Sequence, residues 1–202
     1  MASHGTDENR RFSPSREFLR HIEEEAFLLR SKAGVGPLDK LDPFALAGKF
    51  NARIVSADKI TDLPQEARQY IDSLGARTWS GISSRLPDGS LLIVLNHNQT
   101  RQRANVTILE EVAHAHYGHR PSTLSKALQR AYDEAAEREA YWTAAAVLLP
   151  SKAVARAIWQ SQSAGELARL FGTSTELAEM RIKVLGLWAR YRNGRSAAEE
   201  MS

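Results

Sequence analysis

From about Gln99 onward the whole chain reads as helical, and this limits the folds open to it. Strand-like sequence lies only before that point. ARIVSA reads as one strand, and RTWSGISSRLPDGSLLIVLN reads as a β-hairpin. The hairpin pairs Trp79–Ser83 with Leu91–Leu95 across the Pro87-Asp88-Gly89 turn. A helix capped by Ser13-Pro14 or Ser15 runs to about Ser31, with Phe18, Leu19, Ile22, Ala26 and Leu29 on one face. Asp42-Pro43 opens a short helix, PFALAGKF, and another covers PQEARQYIDSL and stops at Gly75. Beyond Gln99, one helix reaches Tyr117 and a longer one covers about Leu124 to Leu149. Shorter helices follow at SKAVARAIWQ, AGELARLF and STELAEMRIKVLGLWARYR. The expected class is α+β: a mainly helical domain with a small antiparallel sheet at 15–150 and a C-terminal helical unit at 151–193. Residues 1–14 are expected to form a disordered extension and 194–202 a flexible tail.

Composition removes several classes of function. There is no cysteine, which excludes disulfides, thiolate metal ligands and cysteine nucleophiles. Any metal site must therefore use His, Asp and Glu. No apolar run approaches the length of a membrane span, and the polar start, MASHGTDENRRFSP, has no signal-peptide core; the expected location is cytoplasmic. The net charge is only +3, and the arginines at 10, 11, 16 and 20 and near the end read as solvated faces.

Chemistry concentrates in Val106–Tyr117, where Glu110 and Glu111 interrupt an otherwise apolar helical run. At i±3 and i±4 spacing Glu110 lies beside Val106, Thr107, Ala113, His114 and Tyr117, while Glu111 lies beside Thr107, Ile108, His114 and Ala115. Acids facing apolar neighbours need a cation, a metal or a proton, and a buried salt bridge would serve. Alternatively, Glu110 and His114 can grip one ion while Glu111 reaches a water bound to it. That is the logic of the HExxH helix of zinc proteases, written here as EExxH.

A third ligand candidate comes from the next helix. Glu139 shares a stripe with Ala135, Ala136, Thr143 and Ala146, whereas Glu137 groups with Asp133, Glu134 and Tyr141 on a more solvated side. An arginine partner is the alternative role for Glu139. His119, after Gly118, can swing toward the site or cap the helix end. His116 points about 200° away from His114 and is not expected to ligate.

Three segments resemble the ImmA/IrrE family of metallo-endopeptidases: WSGISSRLPDGSLLIVLNHNQTRQRANVTILEEVAHAHYGH, EREAYWTAAAVLLP and ELARLFGTSTELAEMRIKVLGL. With DPFALAGKFNARIV they span most of residues 42–187 in the family's order. The resemblance implies a zincin-like domain followed by a helix-turn-helix-like unit. It also implies Glu111 as general base, with Glu110, His114 and Glu139 as the metal set, Glu110 standing where the family has its first histidine. The implied cofactor is zinc, or manganese, and the implied partner is a protein substrate, a repressor with a helix-turn-helix domain. If hydrolysis occurs, an extended substrate is expected to add along the Leu91, Ile93 and Leu95 edge, with His97 or His119 near the oxyanion.

Two other readings compete. One is a catalytically impaired, metallopeptidase-like regulator that acts by binding, with Glu110 marking the altered site. The other is a DNA-binding regulator, because residues 163–187 have helix-turn-helix spacing with Gly172 at the turn. Glu176 and Glu179 at the start of its second helix would repel phosphates, so nucleic acid is not the favoured partner.

Overall fold

The computed structural model describes residues 14–61, 69, 79–119 and 133–200, with side chains through residue 194. The expected N-terminal extension, the helix near PQEARQYIDSL and the first part of the helix from Leu124 fall outside the described residues.

Local capping chemistry explains where most helices begin. α1 (Arg16–Lys32) starts where Ser15 Oγ accepts the Phe18 backbone N–H, and α2 (Pro43–Gly48) where Asp42 accepts that of Phe44. α3 (Arg101–Tyr117) is capped by Thr100 and ends at Gly118, whose φ of 69° places it in the left-handed region. α4 (Glu134–Leu148) is capped by Asp133, which accepts from both Ala135 and Ala136. α5 (Ser151–Trp159) follows Pro150, and α6 (Ala164–Phe171) opens on a capping box between Ser163 and Glu166. Ser174 caps α7 (Thr175–Val184).

The last helical segment departs from expectation. It divides at Gly186 into α7 and α8 (Trp188–Glu200), and α8 carries helix past residue 194, where a flexible tail was expected.

The sheet also differs from the sequence reading. It has three strands, β1 (Ala52–Ser56), β2 (Gly81–Arg85) and β3 (Leu91–Leu95), in the order β1-β3-β2. β1 pairs with β3 in parallel, so the sheet is mixed rather than antiparallel. The hairpin forms, but with Gly81–Arg85 opposite Leu91–Leu95, two residues later than expected. Asp88 tightens the turn by accepting from the Ser90 backbone N–H and hydroxyl. The chain can therefore reverse within Leu86–Ser90, leaving Arg85 in the strand.

One apolar core runs from α1 through β3, α3 and α4 to the C-terminal helices, with Ile22, Ile93, Ile108, Trp142, Leu148 and Ile182 among its buried members. Two buried arginines anchor the C-terminal end of α4. Arg30 of α1 donates to Val147 O, and Arg181 of α7 donates to Leu149 O. Glu23 of α1 pairs with Arg181 and also accepts the Ser151 N–H that opens α5. Cations at a helix C-terminus satisfy carbonyls that the helix leaves unpaired. Among the described residues no helix is long and apolar enough to cross a membrane.

Candidate functional site

The site forms where β2, α1 and the start of α4 meet the C-terminal half of α3. Gly81 lets β2 approach this helix: a Cβ there would overlap the Thr107 methyl group. Two residues later Ser83 Oγ donates a hydrogen bond to Glu111 Oε2. The expected general base thus lies directly beneath β2, one turn beyond Thr107.

Glu110 is half-buried, yet it is packed closely enough that burial pushes its carboxyl up to about 7; nearby Glu111 and Glu137 add to the rise, and Arg103 and His114 oppose it. His114 is raised from its usual value. Burial alone would lower it, but the facing Glu137 carboxylate and the charges of Glu111 and Glu110 outweigh that effect.

His119 lies at the centre of the arrangement. Gly118 turns the chain so that the His119 backbone N–H donates to His114 O at 2.9 Å, and its ring stacks on Tyr117 with centroids 5.2 Å apart. The Nδ1 atoms of His114 and His119 are 3.0 Å apart. On the opposite side of the ring, His119 Nε2 is 3.0 Å from Glu139 Oε2. The other oxygen of Glu139 is 3.0 Å from His21 Nε2 of α1. His114 Nε2 faces Glu137 at 3.8 Å.

The three expected ligands are thus neighbours without sharing a focus. Among the described residues, no three His, Asp or Glu side chains converge as a metal ion would require. The donor types suit zinc, but Glu139 directs its oxygens at His119 and His21, while His114 faces His119 and Glu137. As placed, Glu110, His114 and Glu139 do not fit the ion together.

Other expectations need correction. β3 is the central strand, with β1 on one side and β2 on the other, and Leu91, Ile93 and Leu95 are buried; none of them can receive an added strand. Glu137 is as enclosed as Glu139, each with 27% of its side chain exposed, and Glu137 is the acid that meets His114. His97 is exposed and its ring bonds Asn98. His116 pairs with Glu25 of α1 at 2.6 Å. Sequence reasoning did not find Ser83, His21 or Glu25, because each reaches the site from an element distant in the chain.

The open edge lies elsewhere. Asn96 N–H donates to Ser80 O at 3.1 Å and Leu86 N–H donates to Ser90 O at 2.9 Å. In an antiparallel ladder bonded and non-bonded pairs alternate, so Ile82 and Ser84 pair with β3. The backbone N–H and C=O groups of Gly81, Ser83 and Arg85 therefore point away from β3. Among the described residues no strand lies on that side.

Comparison with known proteins agrees with this architecture. The model of the Peptidase_M78 family, described as an IrrE N-terminal-like domain, matches residues 69–183. A solved structure described as a Mycobacterium tuberculosis transcriptional regulator is similar in fold, with a TM-score of 0.55 and 18% sequence identity. The match covers 88% of this chain and 51% of that one, so this chain spans about half the length of the regulator. No curated protein matches it.

Proposed function

The chain belongs to the Peptidase_M78 family, and from that membership we propose that it is a metallopeptidase-like regulator that binds an extended segment of another protein along β2. The observation that carries this reading is the outward-facing backbone of Gly81, Ser83 and Arg85, on the strand whose Ser83 side chain bonds Glu111. A strand added there would lie about 4.8 Å from β2 and would use main-chain hydrogen bonds for affinity. A repressor-type protein is the partner class that the family suggests, and the regulator of similar fold is compatible with it.

Zinc-dependent hydrolysis of that partner, with Glu111 as base, is the finer activity the family implies. It requires Glu110, His114 and Glu139 to meet at one ion, and their present directions favour binding over cleavage. The placement of Glu111 under the open edge is the observation in favour of hydrolysis. Ser83, whose backbone faces the open edge, bonds the Glu111 carboxylate through its side chain.

Incubation with candidate repressor proteins tests both readings. A stable complex without cleavage is expected, and Arg85→Pro should abolish it while Arg85→Ala retains it. Proline at 85 removes an outward N–H without disturbing the ladder to β3. Equal binding by the proline variant would sink the strand-addition reading. Cleavage by the wild type that is lost in Glu111→Gln would instead establish the hydrolase.

A further inference from the structure

One side chain, His119, stands between two of the expected ligands. Its ring lies between His114 and Glu139, with one nitrogen toward each at 3.0 Å. We infer that His119 takes the place of an ion in this site, joining α3 to α4 and α1 through a continuous chain of hydrogen bonds, His114–His119–Glu139–His21. This inference deepens the binding reading above and rests on it, since it explains how the family's site can persist as a structural surface.

Proton placement supports the chain. A carboxylate only accepts, so His119 donates from Nε2 to Glu139, and His21 donates from its own Nε2 to the other oxygen. With Nε2 serving as its donor, the His119 ring leaves Nδ1 to accept from Nδ1–H of His114 at 3.0 Å. Every bond in the series has one donor and one acceptor, and both oxygens of Glu139 are occupied. An ion shared by His114 and Glu139 would need a lone pair from each at roughly 2.0–2.2 Å from one point. Here the His114 Nδ1 proton and the Glu139 Oε2 lone pair are aimed at opposite sides of a single imidazole.

The position of His119 is built into the fold. Gly118 supplies the left-handed residue that folds His119 back over α3, and Tyr117 stacks against the ring with an interplanar angle of 23°. Only 16% of the His119 side chain is exposed, so solvent competes weakly for its two bonds. α1 closes the far end through His21, whose ring also lies 5.9 Å from that of Tyr117.

Two measurements on the full chain test the inference without reference to activity. First, metal-free protein is titrated calorimetrically with zinc chloride alone; no stoichiometric uptake at micromolar concentrations is expected. One zinc bound per chain with submicromolar affinity would overturn the inference, while leaving the peptide-binding reading to the Arg85→Pro experiment. Second, imidazole nitrogen resonances are compared between the wild type and His119→Ala, with His119→Gln as the variant that retains more of the side-chain volume. Signals of both His114 and His21 should shift, because His21 is linked to His119 through Glu139. A shift confined to His114 in two folded variants would show that the chain is not continuous, and would also overturn the inference.

Discussion

Gly81 lies so close to Thr107 that a single methyl group between them would have no room. This contact sets the height of β2 above α3, and with it the Ser83–Glu111 hydrogen bond. Gly81→Ala should destabilise the fold by about 1–3 kcal/mol through overpacking, as read from urea denaturation. Adding Thr107→Ser removes the clashing methyl but keeps the hydroxyl that donates to Arg103 O, and should recover most of the loss. Equal losses in the single and double variants would show that the strand is positioned by something else.

Stability should fall as pH rises through the range in which Glu110 and His114 titrate. The carboxyl of Glu110 moves from an ordinary 4.5 to about 7 on folding, so the native state holds more protons than the unfolded state between those values. His114 is also raised, and its contribution is present at low pH and lost as pH rises through its folded value. Glu110→Gln removes the carboxyl's share of this dependence. It should exceed wild-type stability above pH 7 by up to roughly 3 kcal/mol, with the advantage fading toward pH 4.5. Parallel stability–pH curves for the two proteins would contradict this.

The Glu23–Arg181 pair offers a more severe test of the framework. Arg181 is fully buried, and its guanidinium meets Leu149 O and Glu23. Glu23→Ala leaves that charge without its acid and the Ser151 N–H without its acceptor, and should cost on the order of 3–5 kcal/mol in chemical denaturation. A loss below about 1 kcal/mol would place the pair among weak surface bridges.

Duplex DNA should not bind through residues 163–187. Leu177, Ala178, Arg181 and Ile182 of α7 are buried, while Glu176 lies on the exposed side and Lys183 pairs with Glu179 at 3.8 Å. Fluorescence anisotropy across a salt series should therefore show little salt-dependent affinity attributable to this unit. A steep salt dependence that vanishes on Lys183→Ala would reverse that conclusion.

The parts of the fold legible in the sequence are those governed by neighbours in the chain. Ser15, Asp42 and Thr100 cap helices because their side chains meet backbone N–H groups within the next three residues. The hairpin shows itself through its turn, but its register depends on how tightly Leu86–Ser90 closes, which shifted β2 by two residues. The parallel pairing of β1 has no signature in ARIVS, since that partner is chosen by tertiary packing. The site was legible in the same proportion. Glu111 and His114 stand out by spacing and Glu139 by its small-residue stripe, whereas Glu137 groups in sequence with solvated neighbours, because the crossing of α3 over α4 is not encoded in either helix alone. His21 had no signal at all: its partner, Glu139, lies on another helix far along the chain.

The arginines at the far end of α4 have a consequence for how this chain can vary. Arg30 and Arg181 hold the helix at Val147 and Leu149, beyond the reach of the residues that face α3. The helix is thereby secured at the end opposite Glu137 and Glu139. Substitutions among the residues at the start of α4 then leave this anchorage intact. The same anchorage can thus carry different side chains at the opposite end of the helix.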